Sequence, residues 1–480
     1  MNTTGLIYAA LAAALLPFAP HIWRRMTSRT STLDAEDHYT ANREITSTSA
    51  AYSIAASWIW GPAIFVSAQL AFSGGVQALF WFLVPNILTF FTLIPIASRV
   101  RESYSGYTLP GFLSERSGGS RNVRNLFIIQ TLAFQLCAVV ENNIAIKMLL
   151  SASEAMDAAK INWVILFIDS ACVGFVVLCG FRGAVRSEVS QMLVTIVCCV
   201  GLAVMLLVFK PAQVQFVNGL SGTSGASWNP FQWAAMGMGG GVAMALGLIG
   251  GPMGDMMFFQ RLCSVRKGDP VKRALKLGAV LFAVVPICMA VPGWLAASVA
   301  DLHSLAPDTI AVTSVLAILP WKSLGLFLLA LIVFNGLITT LDASFSSISA
   351  VAGADIHSEQ GAKPTRSSIR KSWLMAAVFA AVGVGVMASE ISLLPVFLTD
   401  AAIASSMIVP MCHAVFSKRP SPMGLTLSLA VGIVISLAMG ISGAVTGNAA
   451  LSSFGAPAAF LGGSIILGLT LIKRRATLVM

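Results

Sequence analysis

The sequence predicts an all-α polytopic membrane protein, with about thirteen transmembrane helices around a five-plus-five inverted repeat. Three observations carry this. Of the 480 residues, 56% are hydrophobic and only 10% are charged, whereas soluble chains carry about 25% charged residues. Apolar stretches of bilayer-spanning length recur from one end of the chain to the other, without β-barrel alternation. Two of these stretches are broken by Gly-Pro pairs five spans apart.

The apolar stretches run over 5–23, 47–72, 76–98, 123–150, 161–180, 188–209, 231–257, 272–299, 321–352, 368–388, 391–416, 421–444 and 454–473. The first could be a secretory signal. However, MNTTG lacks a basic leading region, and Arg24 and Arg25 follow the apolar run, which points to a retained helix. An odd number of spans puts the termini on opposite sides. With the N-terminus outside and the C-terminus cytoplasmic, every Lys and Arg except Lys147, Lys160, Lys210 and Lys322 falls on the cytoplasmic side, the positive-inside distribution of a cell (inner) membrane protein. The net charge of +10 therefore reads as orientation chemistry in contact with membrane lipid, not as a nucleic-acid footprint. Of the eight cysteines, all but Cys263 lie in spans and no CxxC occurs, so they read as small apolar packing residues.

The loops leave no room for a soluble domain: the longest, such as 24–46, 99–122 and 210–230, are far short of one. There is no GxxxxGK[ST], which removes ATP as the expected energy source. No HExxH or nucleophile elbow occurs, and His21, His38, His303, His357 and His413 are scattered, so the chain does not read as an enzyme. Gradient-driven transport, or an uncoupled solute channel or sensor derived from a transporter, remains, with no obligate protein partner evident.

The broken spans are WIWGPAIF, with Gly61-Pro62, and MALGLIGGPMGDMMF, with Gly250-Gly251-Pro252. Proline removes a backbone donor and glycine frees the dihedrals, so both helices can unwind there. An offset of five spans inverts the direction of crossing. The chain accordingly divides into an extra helix and loop (1–46), a first five-helix repeat (47–209), a second, inverted repeat (231–416) and two further helices with a tail (421–480). Paired interruptions of this kind point to a midplane binding site.

The ninth span carries NGLITTLDASFSSISA. On a helix, Asn335, Thr339, Asp342, Ser346 and Ser349 share one face, with Thr340 beside them, while Leu337, Leu341, Phe345 and Ile348 take the other. A carboxylate at membrane depth costs several kcal/mol unless compensated. Hydroxyls, carbonyls and a carboxylate are hard oxygen ligands, suited to sodium or to a relayed proton. The alternative is that small hydroxylated residues mediate helix–helix contact.

At this point the residues resemble a known family, the sodium:solute symporters, whose members carry proline, pantothenate, sugars, sialic acid and urea. TLDAEDHYTANREI resembles the family's DYFLAGR loop, and YTLPGFLSERSG its YTLPEFLEKRYG loop. CGFRGAVRSEVSQ resembles GGLRAVVWTDVLQ. GDMMFFQRLCSVR is similar to the D-x4-QR ending, and ITTLDASFSSISAVAGADIH tracks the STADSQLLSASSLFTxDIY helix without a gap. SAASWIW followed by SGGVQALFWF looks most like the urea-transporting branch. The resemblance implies a LeuT-type fold and a sodium site made by the carbonyls of Ala56, Ile59 and Gly336 with the hydroxyls of Thr339 and Thr340. It also implies a candidate second cation or proton site at Glu188, where relatives carry Asp, beside Asp342 on the ninth span.

The resemblance places the solute beside the unwound segments. The residues there are Trp58, Trp60, Gly61, Gly251 and Met253, with Gln135 from span 4 and Asp400 from span 11 completing the expected pocket. No arginine is expected deep in a span, which favours a small neutral or zwitterionic solute such as urea or an amino acid. Glu141 is expected either to meet Lys147 or to face the pocket, and Asp255 to serve the end of its span beside Arg261. The expected activity is sodium-coupled symport by alternating access. Proton coupling on the same fold is the first alternative, and uncoupled passage the second.

Overall fold

A computed structural model of the chain describes residues 2–27, 34–212, 214–233, 240–446 and 448–479. Arg29 and residues 234–239, near the start of the seventh apolar stretch, lie outside the described residues. Those described are helical apart from loops, with one isolated bridge between Ile45 and Val265.

The helices are α1 (Thr3–Thr27), the short α2 (Ala35–Thr40), α3 (Ser47–Ser57), α4 (Gly61–Ser103), the short α5 (Leu109–Arg116), α6 (Arg121–Ala152) and α7 (Ala158–Phe209). The second half holds α8 (Gly241–Gly254), α9 (Met256–Ser264), α10 (Val271–Ala297), α11 (Ile310–Ile318), α12 (Lys322–Val351) and α13 (Arg366–Ala388). It closes with α14 (Leu393–Phe416), α15 (Pro422–Thr446) and α16 (Ala449–Val479). Among the described residues, 10 helices are long and apolar enough to cross a membrane, and the pair α8–α9, bent by 48°, makes an eleventh.

Two of these helices are too long for one crossing. With 43 and 52 residues, α4 and α7 would extend about 65 and 78 Å, against a hydrocarbon core of about 30 Å. Each is interrupted at one glycine in a left-handed conformation that other residues rarely adopt, Gly75 (φ 61°) and Gly180 (φ 60°). Dividing both there brings the eleven to the thirteen crossings expected.

The loop contacts agree with that count. Arg101 donates to the carbonyl of Val265 at 2.7 Å and Arg116 to that of Ser417 at 2.8 Å. Arg124 meets Asp355 at 3.2 Å, Arg182 meets Asp37 at 2.8 Å and Lys363 meets Asp34 at 2.8 Å. These contacts gather the segments after the first, third, fifth, seventh, ninth and eleventh apolar stretches on one face, the basic one. On the other face, the Val76 N–H meets the Leu220 carbonyl at 2.8 Å and Gln69 reaches Asp308 at 2.8 Å. Side chains such as Trp163, Val197, Leu374 and Val434 are exposed around the periphery, the surface of a protein solvated by lipid.

At the centre lies α12. From Leu329 to Val351 it is buried on every side. Its apolar row of Leu337, Leu341, Phe345 and Ile348 therefore packs against other helices and does not meet lipid.

Candidate functional site

The first break follows directly from local sequence. The α3 helix is capped at its start by Thr46, whose hydroxyl accepts from the Ser49 N–H at 3.1 Å, and ends at Ser57. Pro62 has no N–H to give the Trp58 carbonyl. The next donor, Ala63, bonds to the Trp60 carbonyl at 3.0 Å, so the Ile59 carbonyl has no helical partner. Trp60 is extended (φ −94°, ψ 176°). Asn142 on α6 then holds the restarted helix: its Oδ1 accepts from the Gly61 N–H at 3.0 Å.

The Ile59 carbonyl and that of Ala56, which also accepts from the Ile59 N–H at 3.1 Å, meet α12. Thr339 Oγ1 lies 3.1 Å from the Ala56 carbonyl oxygen and 2.7 Å from that of Gly336. Thr340 Oγ1 lies 3.1 Å from the Ile59 oxygen and 3.2 Å from that of Gly336. All five groups anticipated for the cation thus converge between the end of α3 and the middle of α12. Gly336 eases the approach: a Cβ there would stand 3.0 Å from the Ile59 side chain, tighter than usual, and 3.4 Å from its carbonyl oxygen. Three carbonyls and two hydroxyls, all buried, form a neutral set of hard donors with the chemistry to hold an alkali cation.

The rest of the polar stripe divides by role. Ser349 bonds to Ser372 at 2.7 Å, and Ser346 to Gln260 at 3.4 Å; these serines join helices. Asp342 is fully buried, and neither carboxylate oxygen has a hydrogen-bond partner among the described residues.

Glu188 is not beside Arg182, which pairs with Asp37 and Glu44. Its carboxylate instead pairs with Arg261 and bonds to Ser53. Arg261 in turn donates to Ser53 at 2.7 Å and to the Met257 carbonyl at 3.0 Å. Arg261, on α9 just past the second break, is only 1% exposed, because α9 packs against α3 and α12.

The second break falls three residues beyond its Gly-Pro. Pro252 remains inside α8, and the chain unwinds at Asp255 (φ −89°, ψ 123°). There the Asp255 Oδ1 caps α9 by accepting from the Met257 N–H at 2.7 Å, and it also accepts from Gln135 Nε2 at 2.8 Å.

Around the breaks several residues expected at the pocket touch one another. Trp58 and Trp60 stack with ring centres 4.7 Å apart. Trp58 abuts Phe258, and Trp60 abuts Phe397 of α14. A Cβ on Gly251 would lie 2.9 Å from the Trp58 ring. Met253 lines a separate cavity of about 10 Å³ with Leu93, Phe259 and Met411, at the threshold for one water. Asn86 was not anticipated: its Oδ1 accepts from Trp58 Nε1 at 2.7 Å and fixes the ring. An amide in the middle of the apolar third span was the available signal. Asn142 stood among the polar residues of α6 without a role.

No family model and no curated protein matches the chain. Among solved structures, it is similar to a Na+-coupled sialic acid symporter in a substrate-bound outward-open state. That match has a TM-score of 0.71 at 15% identity, over 98% of this chain and 98% of that one. It is also similar to Mhp1, a nucleobase-cation-symport-1 family transporter in a closed conformation with bromovinylhydantoin bound, with a TM-score of 0.50 at 12% identity over 90% and 94% of the two chains. At such identities the likeness shows the fold, which is the all-α polytopic, LeuT-type fold of these transporters.

Proposed function

We propose that the chain is a secondary active transporter, a sodium:solute symporter that couples entry of a small polar organic solute to sodium by alternating access. The observation that carries this is the meeting of Thr339 and Thr340 with the carbonyls of Ala56, Ile59 and Gly336 at the break between α3 and α4. Sodium is cargo here. Bound between α3 and α12, it would tie the unwound carbonyls to a central buried helix and order the segment beside which the solute sits. Each charge carried down 100 mV contributes about 2.3 kcal/mol, enough for roughly fifty-fold accumulation. Coupling requires both cargoes to favour the same state.

The reading extends to the boundaries given above for the two repeats, 47–209 and 231–416. It places the protein in the cell (inner) membrane, with the basic face cytoplasmic, the N-terminus outside and the C-terminus inside. The solute site comprises Trp58, Trp60, Gly61, Gln135, Gly251 and Asp400. The sodium-coupled sialic acid symporter supports the coupling by its fold and its own activity. Branch membership near the urea carriers rests on the motifs alone.

Proton coupling is the second reading, favoured by the unpartnered carboxylate of Asp342. Glu188, committed to Arg261, is the weaker member of that pair. The test is uptake into proteoliposomes from a solute panel, under a sodium gradient at fixed pH and under a proton gradient without sodium. Accumulation driven by sodium supports the first reading and accumulation driven by protons the second. Equilibration without accumulation under either gradient would leave an uncoupled channel or sensor.

A further inference from the structure

Glu141 on α6 and Asp400 on α14 lie on two helices that pack against each other. Both are fully buried, and all four carboxylate oxygens lack a hydrogen-bond partner among the described residues. Glu141 does not meet Lys147. The one arginine buried nearby, Arg261, is already held by Glu188 and Ser53. A buried carboxylate without a partner costs several kcal/mol, and native structures rarely leave one so.

Both helices lie against the unwound segment. The Glu141 carbonyl would be 2.9 Å from a Cβ on Gly61, and Asn142 holds the Gly61 N–H. Trp60 abuts Phe397, one helical turn before Asp400 on α14. Independently of the acidic pair, Trp60 Nε1 and Gln135 Oε1 are buried and unpartnered in the same region. Gln135 is tied to Asp255 through its amide nitrogen, and the second Asp255 oxygen is unpartnered as well. Unmet acceptors thus far outnumber unmet donors, and the unmet charge has one sign. A component rich in N–H donors and positively charged would meet these groups.

We infer that the solute presents a protonated nitrogen group, an ammonium, amidinium or guanidinium, to Glu141 and Asp400, against the aromatic face of Trp60 and Phe397. This rests on the transporter reading above and narrows its substrate class: strongly anionic solutes are excluded, and neutral amides are disfavoured. Charge-assisted hydrogen bonds to two carboxylates are stronger than neutral ones, and an indole face adds cation–π attraction. Sodium at Thr339 and Thr340 would occupy a distinct, uncharged donor set. The carboxylates are therefore not needed for the alkali ion.

The test uses a pair of isosteres that differ mainly in charge, methylguanidinium and methylurea, on purified full-length protein in nanodiscs. Binding is read by tryptophan fluorescence and thermal shift at saturating sodium. Sodium is also titrated alone. Methylguanidinium is expected to bind at least about tenfold tighter than methylurea, and Glu141→Gln and Asp400→Asn should each shrink that preference to about threefold or less. Both substitutions are near-isosteric, and melting curves report whether each variant folds. The sodium-only response should survive in both. Equal or tighter binding of methylurea, a preference unchanged in both variants, or no saturable effect of methylguanidinium overturns the inference. So does loss of the sodium-only response in folded variants, which would make the pair an alkali site. Loss of the sodium response in Thr339 and Thr340 variants is a separate readout. Its absence would sink the symporter reading whichever isostere binds.

Discussion

The hydroxyl of Thr340 and the carbonyl of Ile59, 281 residues apart in sequence, lie 3.1 Å from each other in the buried centre of the molecule. Thr339 makes the equivalent approach to Ala56 at 3.1 Å. Adjacent threonines on one helix thus reach two carbonyls at the end of another. The Ile59 carbonyl is open to this contact because Ala63 bonds to Trp60 instead, and Gly336 keeps the approach clear of a Cβ that would stand 3.0 Å from the Ile59 side chain.

Removing one hydroxyl tests the role of this junction. Thr340→Ala should weaken apparent sodium affinity by about tenfold or more, the scale of a hydrogen-bonding group facing a charge. Solute affinity measured at saturating sodium should change much less, and Thr340→Ser should retain most of the sodium affinity. A sodium titration of tryptophan fluorescence or of uptake reads all three. Equal loss of both affinities would mean that the threonine serves packing alone.

Gly61 is a packing requirement as well as a break. A Cβ there would sit 2.8 Å from the Ala145 side chain and 2.9 Å from the Glu141 carbonyl, and backbone cannot yield as a side-chain tip can. Gly61→Ala should therefore cost about 1–3 kcal/mol, displace the start of α4 and lower sodium affinity. Gly174→Ala meets nothing within 4 Å and should be neutral or slightly stabilising. Thermal midpoints in detergent compare the two.

The Arg261–Glu188 pair is buried on both sides, so its members should not be independent. Arg261→Met alone leaves an uncompensated carboxylate and should cost about 3–5 kcal/mol. Combining it with Glu188→Leu removes that charge and should restore part of the loss. Denaturation of the two single variants and the double variant checks this, and additive losses would argue against a coupled pair.

How much of this was legible beforehand depended on where the physical cause lay. The thirteen crossings, the basic face and the α3–α12 junction rest on local causes: apolar length, loop cations, Gly-Pro, and hydroxyls at helical spacing. What the chain did not disclose was set by partners distant in sequence. Arg261 looked like a membrane-edge cation because its partners lie on α3 and α7. Asp255 was expected to serve the end of its span beside Arg261; it does serve that end, by capping α9, and its side-chain partner is Gln135. The second break was expected at Gly250–Pro252 and occurs at Asp255, because a capping carboxylate stabilises a new helix start more directly than a proline ends an old one. The functions of Asn86 and Asn142 depend on which face of each helix turns inward, and that is decided by packing.

His38 gives the protein a pH dependence on its basic face, outside the spans. The imidazole is 7% exposed, its Nε2 has no partner, and Gly180 presses so close that a Cβ there would lie 2.8 Å from Nδ1. Burial, reinforced by the charge of Arg25 and only partly opposed by Asp37, holds its pKa down to about 4, against 6.5 when free. The unfolded chain therefore binds a proton that the folded protein refuses between those values. Stability is full above about pH 6.5, falls as pH drops through the window at up to roughly 1.4 kcal/mol per pH unit, and levels off below about pH 4. The thermal midpoint should accordingly drop between pH 7 and pH 4.5 more steeply in the wild type than in His38→Phe, which keeps a ring of similar size but has no proton to gain. Other groups titrate in the same range, so the difference between the two curves is the measurement. Parallel curves would show that His38 is protonated in the fold, with a counter-charge drawn to its unpartnered nitrogen.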